Sequence, residues 1–211
     1  MPLQGMIIPV TDFEQNCLLL WDDATGEGVV VDPGGDVPRI LKAVADRGVT
    51  VRRILITHGH IDHAGGADEL RARLGAPVEG PHPADAPLLE NLERQALAYG
   101  LSGARNLRPD RWLAEGDRVR IGAEEFSVLH CPGHAPGHVV FVSPALRLAI
   151  VGDVLFRGSI GRTDFPYGDH AALISSIKEK LLPLGDDMQF LCGHGPGGSF
   201  GEERRHNPFL Q

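Results

Sequence analysis

Short apolar runs punctuated by Gly, Pro and Asp alternate with amphipathic stretches along the whole chain. Met6-Ile7-Ile8-Pro9-Val10, Cys17-Leu18-Leu19-Leu20-Trp21 and Val29-Val30-Val31 read as strands, with turns at Asp22-Asp23 and Thr25-Gly26. Asp32-Pro33-Gly34-Gly35 breaks the third strand. The spacing then predicts a helix from an Asp36 cap to about Arg47, with Ile40, Leu41 and Val44 inward and Gly48 as its stop. A strand over 51–56 follows, and a second helix is expected from Asp62 through Leu74 to Gly75, where glycine can take the left-handed stop conformation. Residues 83–99 carry Leu88, Leu89, Leu92 and Leu97 at helical spacing. They read as a helical insertion or lid whose leucines pack the core rather than line a substrate groove.

Beyond the lid the period changes. Trp112-Leu113, Arg118-Val119-Arg120-Ile121 and Glu125-Phe126-Ser127-Val128-Leu129 alternate apolar and polar positions, as half-buried antiparallel strands do. Residues 139–142 and 146–151 extend this second sheet, and a helix near 171–182 and a strand over 189–192 complete the pattern. His206-Asn207-Pro208-Phe209 is expected to pack the C-terminus onto the body. With no internal repeat, low-complexity tract or linker, the simplest reading is one α/β domain over 1–211.

Composition narrows what such a domain does. With 211 residues, 42% of them hydrophobic, the chain can build one sizeable core or two small ones. A formal net charge of -8 argues against a nucleic-acid partner, although Arg204-Arg205 leaves room for a local basic patch. No apolar run reaches the length of a membrane span, and Met1-Pro2-Leu3-Gln4-Gly5 does not lead into a signal-like segment. The expectation is a soluble cytoplasmic protein with no membrane partner. Cys17, Cys131 and Cys192 are odd in number and far apart, which fits free thiols in a reducing compartment.

The chemistry concentrates at predicted strand ends. Thr57-His58-Gly59-His60-Ile61-Asp62-His63 sets three imidazoles and a carboxylate in six residues, a combination suited to zinc or another first-row metal. Three more segments follow strands in the same way: His130-Cys131-Pro132-Gly133-His134-Ala135-Pro136-Gly137-His138, Gly152-Asp153 and Gly193-His194-Gly195-Pro196. Four strand ends can therefore deliver His and Asp to one rim. His82, His130, His170 and His206 read as structural, and His138 as a group that touches the ligands. Cys131 and Cys192 sit beside ligand segments, yet a free cysteine is usually a small buried hydrophobe.

T-H-x-H-x-D-H, C-P-G-H, G-D and G-H-G-P in this order resemble the metallo-β-lactamase superfamily over nearly the whole chain. The resemblance implies a four-layer αββα sandwich of two mixed sheets flanked by helices, with a two-metal site between the upper sheet edges. It implies that His58, His60 and His134 hold one divalent ion and Asp62, His63 and His194 the other, with Asp153 bridging. Zinc is expected, with iron or manganese as alternatives. Asp32, in Val31-Asp32-Pro33-Gly34-Gly35, and Thr57 would orient the ligand loop. Two ions sharing an oxygen make hydroxide available near neutral pH. Asp62 would be both ligand and catalytic helper, its ionised form favoured by a helix start.

Within the superfamily the chain is similar to type II glyoxalases of the short, single-domain bacterial kind. The similarity rests on C-P-G-H-x-P-G-H, on Asp110-Arg111-Trp112-Leu113, on residues 158–166 and 180–187, and on the tail from Cys192 to Leu210. It implies attack of a metal-bridging hydroxide on a glutathione thioester such as S-D-lactoylglutathione, in methylglyoxal detoxification. Longer members add a C-terminal helical domain that contacts glutathione, and the expectation for this chain is a single domain without it. Arg162 then becomes the candidate carboxylate contact, against an alternative reading as an ion pair with Asp164, and Tyr167 and Arg157 are weaker candidates. Gly-Arg-Thr-Asp is also similar to persulfide dioxygenases, in which His58, His134 and Asp153 would hold a single iron. A hydrolase of another ester or lactone and a non-catalytic metal protein complete the alternatives. Oligomeric state is left open.

Overall fold

Burial on both faces of short β-branched runs organises the first half of the chain around one sheet. In the computed structural model, which describes residues 3–211, β1 (Leu3–Val10) and β2 (Gln15–Asp22) form a hairpin, and β3 (Glu27–Val31) lies antiparallel to β2. Helix α1 (Val37–Arg47) leads to β4 (Thr50–Leu55), parallel to β3. Two helices, α2 (Ile61–Ala64) and α3 (Ala67–Leu74), precede the short β5 (Val78–Glu79), and α4 (Ala86–Leu89) and α5 (Leu92–Tyr99) form the lid segment. The sheet order is β1-β2-β3-β4-β5.

The second half builds a six-stranded sheet. It comprises β6 (Arg118–Ile121), β7 (Glu124–His130), β8 (Val139–Ser143) and β9 (Leu148–Gly152). A separate hairpin, β10 (Leu155–Phe156) and β11 (Ser159–Ile160), and helix α6 (His170–Ser175) come next. Strands β12 (Gln189–Cys192) and β13 (Gly198–Ser199) and helix α7 (Phe200–His206) finish the chain, giving the order β13-β12-β9-β8-β7-β6.

Alternation along each central strand divides the apolar residues into three layers of core. Leu18, Leu20, Val29, Val31 and Leu55 meet Phe126, Val128, Val139, Phe141 and Ile150 between the two sheets. The intervening Cys17, Leu19 and Val30 turn outward against Ile40, Val44, Ala64 and Leu70. On the far side, Val140, Val142, Ala149 and Val151 pack on Leu173, Ile177 and Leu181. Sheet faces cannot stay wet when both carry aliphatic residues, each worth about 1.5–3 kcal/mol on burial, so helices cover both outer faces. The result is the expected αββα sandwich.

Several local expectations are corrected. The helix predicted from Asp62 to Gly75 is two helices, because Gly65 and Gly66 lie against the Pro33-Gly34 backbone and Gly66 N donates to Pro33 O. A Cβ on Gly66 would sit 2.7 Å from that carbonyl, so the approach requires glycine and breaks the helix. Asp36 flanks α1 without capping it by its side chain; Oδ2 accepts from Thr11 N at 2.7 Å instead. Trp112-Leu113 is not a strand: Leu113 N donates to Pro81 O, holding the segment along the loop after β5. The late helix continues past Ser175 as a π-type turn over Ser176–Leu181. At the C-terminus Asn207 and Leu210 are buried while Phe209 is half exposed. Arg204 and Arg205 pair with Asp186, leaving no free basic patch there.

Candidate metal centre

Parallel pairing aligns the ends of β3 and β4 in one sheet and of β9 and β12 in the other, so the residues that follow each strand meet at one edge. Asp32 follows β3, Thr57 to His63 follow β4, Asp153 follows β9 and His194 follows β12. His134 and His138 come from the loop between β7 and β8. Two stitches join the halves: Val139 N donates to Thr57 O at 2.8 Å, and Asn16 N donates to Gly193 O at 2.7 Å. Asn16 Nδ2 adds bonds to Cys192 O and Gly195 O. Gly193 is required here, since a Cβ would lie 2.1 Å from Asp153 Oδ1.

Each imidazole is oriented by its outer nitrogen. His63 Nδ1 donates to Asp32 Oδ2 at 2.8 Å, His134 Nδ1 to Arg162 O at 2.8 Å and His194 Nδ1 to Phe13 O at 3.2 Å. Asp32 also accepts from Thr57 N at 2.7 Å and Thr57 Oγ1 at 2.6 Å, so that hydroxyl accepts from His58 Nδ1 at 3.0 Å. His60 Nε2 meets Tyr167 Oη at 2.8 Å. These bonds fix tautomers whose remaining nitrogens face inward as lone pairs. His60 Nδ1 lies 3.0 Å from both His58 Nε2 and His134 Nε2, near the roughly 3.3 Å separation of nitrogens around a tetrahedral zinc. Asp62 Oδ2 lies 3.1 Å from His194 Nε2 and 3.7 Å from His63 Nε2. Between the two sets, Asp153 stands 3.3 Å from His63 Nε2 and 3.6 Å from each of His134 and His194 Nε2. His63 Nε2 and Asp153 Oδ1 are buried with no hydrogen-bond partner among the described residues. Buried polar atoms are seldom orphaned, and inward nitrogen and carboxylate groups that converge in this way are the donors a cation requires.

Electrostatics divides the imidazoles into two groups. Burial pushes His58 and His138 well below the usual imidazole range, takes His60 to about 3 and lowers His134. For His63 burial opposes charge, but Asp153, Asp62 and Asp32 outweigh it and hold the ring well above its ordinary value. His194 is raised as well, its burial outweighed by the Asp62 hydrogen bond and by Asp153. Burial opposes ionisation of Asp62 and Asp153, and the neighbouring imidazoles, His63 foremost, lower both. The ionised form of Asp62, which lies in the first turn of α2, is thus supported by His63 and His194.

The metallo-beta-lactamase superfamily model matches residues 10–194. The chain belongs to the metallo-beta-lactamase superfamily. A hydroxyacylglutathione hydrolase GloC of Haemophilus influenzae is 45% identical over 97% of this chain and 96% of that protein. Among solved structures, TTHA1623 in a di-iron-bound form is 40% identical with a TM-score of 0.89, covering 97% of this chain and all of that one. The BLEG-1 B3 metallo-beta-lactamase is 36% identical, also with a TM-score of 0.89, over 98% and 99% of the two chains. These similarities make the protein a metal-dependent hydrolase of the superfamily, resembling the short glyoxalase II type.

The superfamily site opens into a cavity of about 970 Å³ lined by His60, Asp62, His134, Asp153 and His194 at its floor and by residues of the lid segment at its wall. The leucine stripe of the lid is shared between core and cavity: Leu89 and Leu92 are buried, Leu97 is exposed, and Leu88 lines the cavity. Tyr167 lies on the wall, stacked on Phe165 at 5.3 Å. Arg162 also lines it, but forms a two-pronged ion pair with Asp164, 2.7 Å on each side. Arg157 does not reach the cavity: it tips the β10–β11 turn, and the Phe156–Ser159 pair takes the cavity side while Arg157 faces a smaller depression with Glu202 and His206. His138 stacks on His58 at 4.6 Å and its Nε2 accepts from Asp153 N at 3.0 Å, so it touches the site without joining the inward donors. His82 and His130 stack on each other away from the site, while His170 and His206 are exposed. All three cysteines are buried and free; burial lifts Cys131 to about 12 and Cys192 to about 11, which keeps both as inert thiols.

Asp85 was not foreseen. Its carboxylate is fully buried and accepts from Gly59 N at 2.8 Å with one oxygen and from Gly137 N at 2.5 Å with the other. It therefore clamps the His58–His60 loop to the His134–His138 loop, and burial raises its pKa to about 6 against the pull of those amides. Gln95 adds a second tie from the lid, accepting from Ile61 N and donating to Gly59 O. Replacing Asp85 with Asn sets an amide NH₂ against one backbone N–H. We expect a stability loss of about 1–3 kcal/mol by thermal denaturation and a metal affinity lower by roughly 10–100-fold by competition with a chromogenic chelator.

Proposed function

We propose that this superfamily member is a two-metal hydrolase that cleaves a glutathione thioester of the S-D-lactoylglutathione type. The observation that carries the reading is the convergence of five inward imidazole nitrogens with Asp62 and Asp153 at the floor of an open cavity. His58, His60 and His134 would hold one ion, Asp62, His63 and His194 the second, and Asp153 would serve both. Zinc suits the nitrogen and carboxylate donors, and iron and manganese accept the same set. When bound, such ions lower the pKa of a water and polarise an acyl oxygen.

The chain's own residues do the rest. Asp32 and Thr57 keep His58 and His63 in the tautomers that face inward. Asp62 lines the cavity floor as a carboxylate, in place to accept a proton from a nucleophilic water, while Phe13, Phe156 and Phe165 present apolar surface that excludes bulk solvent around the acyl group. The 45% identity to the Haemophilus influenzae enzyme supports the thioester over other esters. A single-iron dioxygenase would use His58, His134 and Asp153 and leave Asp62, His63 and His194 without a purpose.

Elemental analysis of the purified protein, paired with a hydrolysis assay, tests the reading. The expected result is two equivalents of metal and turnover of S-D-lactoylglutathione. One iron with oxygen uptake on glutathione persulfide, or bound metal without thioester turnover, would overturn it.

A further inference from the structure

The cavity is larger than an acyl group needs, since about 970 Å³ lies at the upper end of the range for small-molecule sites. Its occupant on the present reading is therefore the thiol carrier as well as the acyl half. The wall facing that carrier is the lid. Leu89, Leu92 and Ala96 turn into the core, and Leu88, Asn91, Arg94, Gln95 and Ala98 recur at helical spacing along the cavity side.

The polar groups on this face are not equally available. Gln95 is committed to the peptide groups of Gly59, Ile61 and Leu88, and Asn91 Nδ2 donates to Pro87 O. Among the described residues, two Arg or Lys side chains line the cavity, Arg94 and Arg162. The Arg162 guanidinium is neutralised by Asp164 and lies 4.4 Å over the Phe165 ring, so both its charge and one face are occupied. Arg94 makes no ion pair and no side-chain hydrogen bond among the described residues. The acidic residues lining the cavity, Asp62 and Asp153, both sit at the metal end. The cavity is thus polarised, with a metal-binding floor and one free guanidinium on the wall.

We propose that Arg94 binds a carboxylate of the thiol-carrier half of the substrate, the glycyl or γ-glutamyl carboxylate of a glutathione thioester. The guanidinium fork matches a carboxylate with two parallel N–H donors, and its position on the lid sets the carrier against α5 while the thioester carbonyl faces the floor. Arg94 in this way takes the place that the sequence suggested for Arg162. The inference rests on the thioester reading for its choice of ligand.

The test uses metal-loaded full-length protein, Arg94→Ala and Arg94→Lys, with two substrates and one inert ligand. The substrates are S-D-lactoylglutathione and the lactoyl thioester of N-acetylcysteamine, which carries no carboxylate. The inert ligand is S-hexylglutathione, whose thioether cannot be hydrolysed, measured by calorimetry. Arg94→Ala should raise KM for the glutathione thioester about 10-fold or more with little change in kcat, and weaken S-hexylglutathione by a similar factor. Its effect on the neutral thioester should be at least ten times smaller, and Arg94→Lys should recover part of the loss. Equal losses on both thioesters, or unchanged S-hexylglutathione binding, would overturn the role of Arg94. Failure of the wild-type protein to hydrolyse either thioester would overturn the proposed reaction instead, and the calorimetric comparison would still decide the carboxylate contact.

Discussion

Asp153→Asn is expected to lower kcat/KM for a thioester by at least about 10³-fold, equivalent to about 4 kcal/mol of transition-state stabilisation, and to reduce bound metal from two equivalents toward one. The reasoning starts from position. Among the described residues Asp153 is the carboxylate that reaches both donor sets, with oxygens 3.3 Å from His63 Nε2 and 3.6 Å from His134 and His194 Nε2. It is buried, and the imidazoles keep it ionised against the cost of burial. Asparagine keeps the shape but removes the charge and replaces one oxygen by an NH₂ that donates and cannot ligate. His63 Nε2 would then lose its nearer carboxylate and keep only Asp62 at 3.7 Å, and the two donor sets would have no charged group in common. Metal analysis and steady-state kinetics on the same preparation check both halves. A variant that keeps two metals and full turnover would remove Asp153 from the assignment.

The side chains that converge at the candidate site were legible in the sequence because the fold delivers them in short stretches. His58 to His63 occupy one strand end, and His134, Asp153 and His194 each follow an apolar strand, so loop chemistry and strand pattern coincide. Asp32 and Thr57 were legible for the same reason, as neighbours of those strand ends. Asp85 and Gln95 were not, because their partners are backbone groups rather than side chains of recognisable type. Asp85 meets Gly59 and Gly137 across 26 and 52 residues, and no spacing rule announces such contacts. Arg94 was masked in another way: the leucines of the lid gave its helical period, and the polar face between them carried no motif.

Where the sequence misled on the fold, close backbone approach or competing hydrogen bonds decided the outcome. Nothing in the apolar period of residues 62–75 signals that Gly65 and Gly66 must seat against Pro33 and Gly34. Arg157 was placed at the site by its proximity to Arg162 in sequence, but a two-residue turn between β10 and β11 sends it to the opposite side of the hairpin. Period 2 otherwise served well, since strands such as β8 and β9 bury both faces and separate cleanly into the inter-sheet core and an outer core.

Removing the metals should destabilise the protein and should do so unequally with pH. For free metal at about 1,000 times Kd each ion contributes about 4 kcal/mol, so chelating both is expected to lower Tm by on the order of 15–30 °C. The two donor sets then part on protonation. His58, His60 and His134 are pushed down by burial, with His60 near 3, so protons do not compete for their nitrogens near neutrality. His63 and His194 are raised by their carboxylate neighbours. In the metal-free protein their protonation adds stability that is fully present below about 6.5 and is lost as pH rises through the folded-state values. Metal binding at Asp62, His63 and His194 must displace those protons, so its affinity climbs over that same window while the other set changes little. Acidifying the loaded protein from pH 8 to pH 6 in the presence of a weak chelator should therefore release about one equivalent before the second, with the Tm gap between loaded and stripped protein narrowing in step. Loss of both equivalents together, or release independent of pH, would show that the two donor sets do not differ in this way.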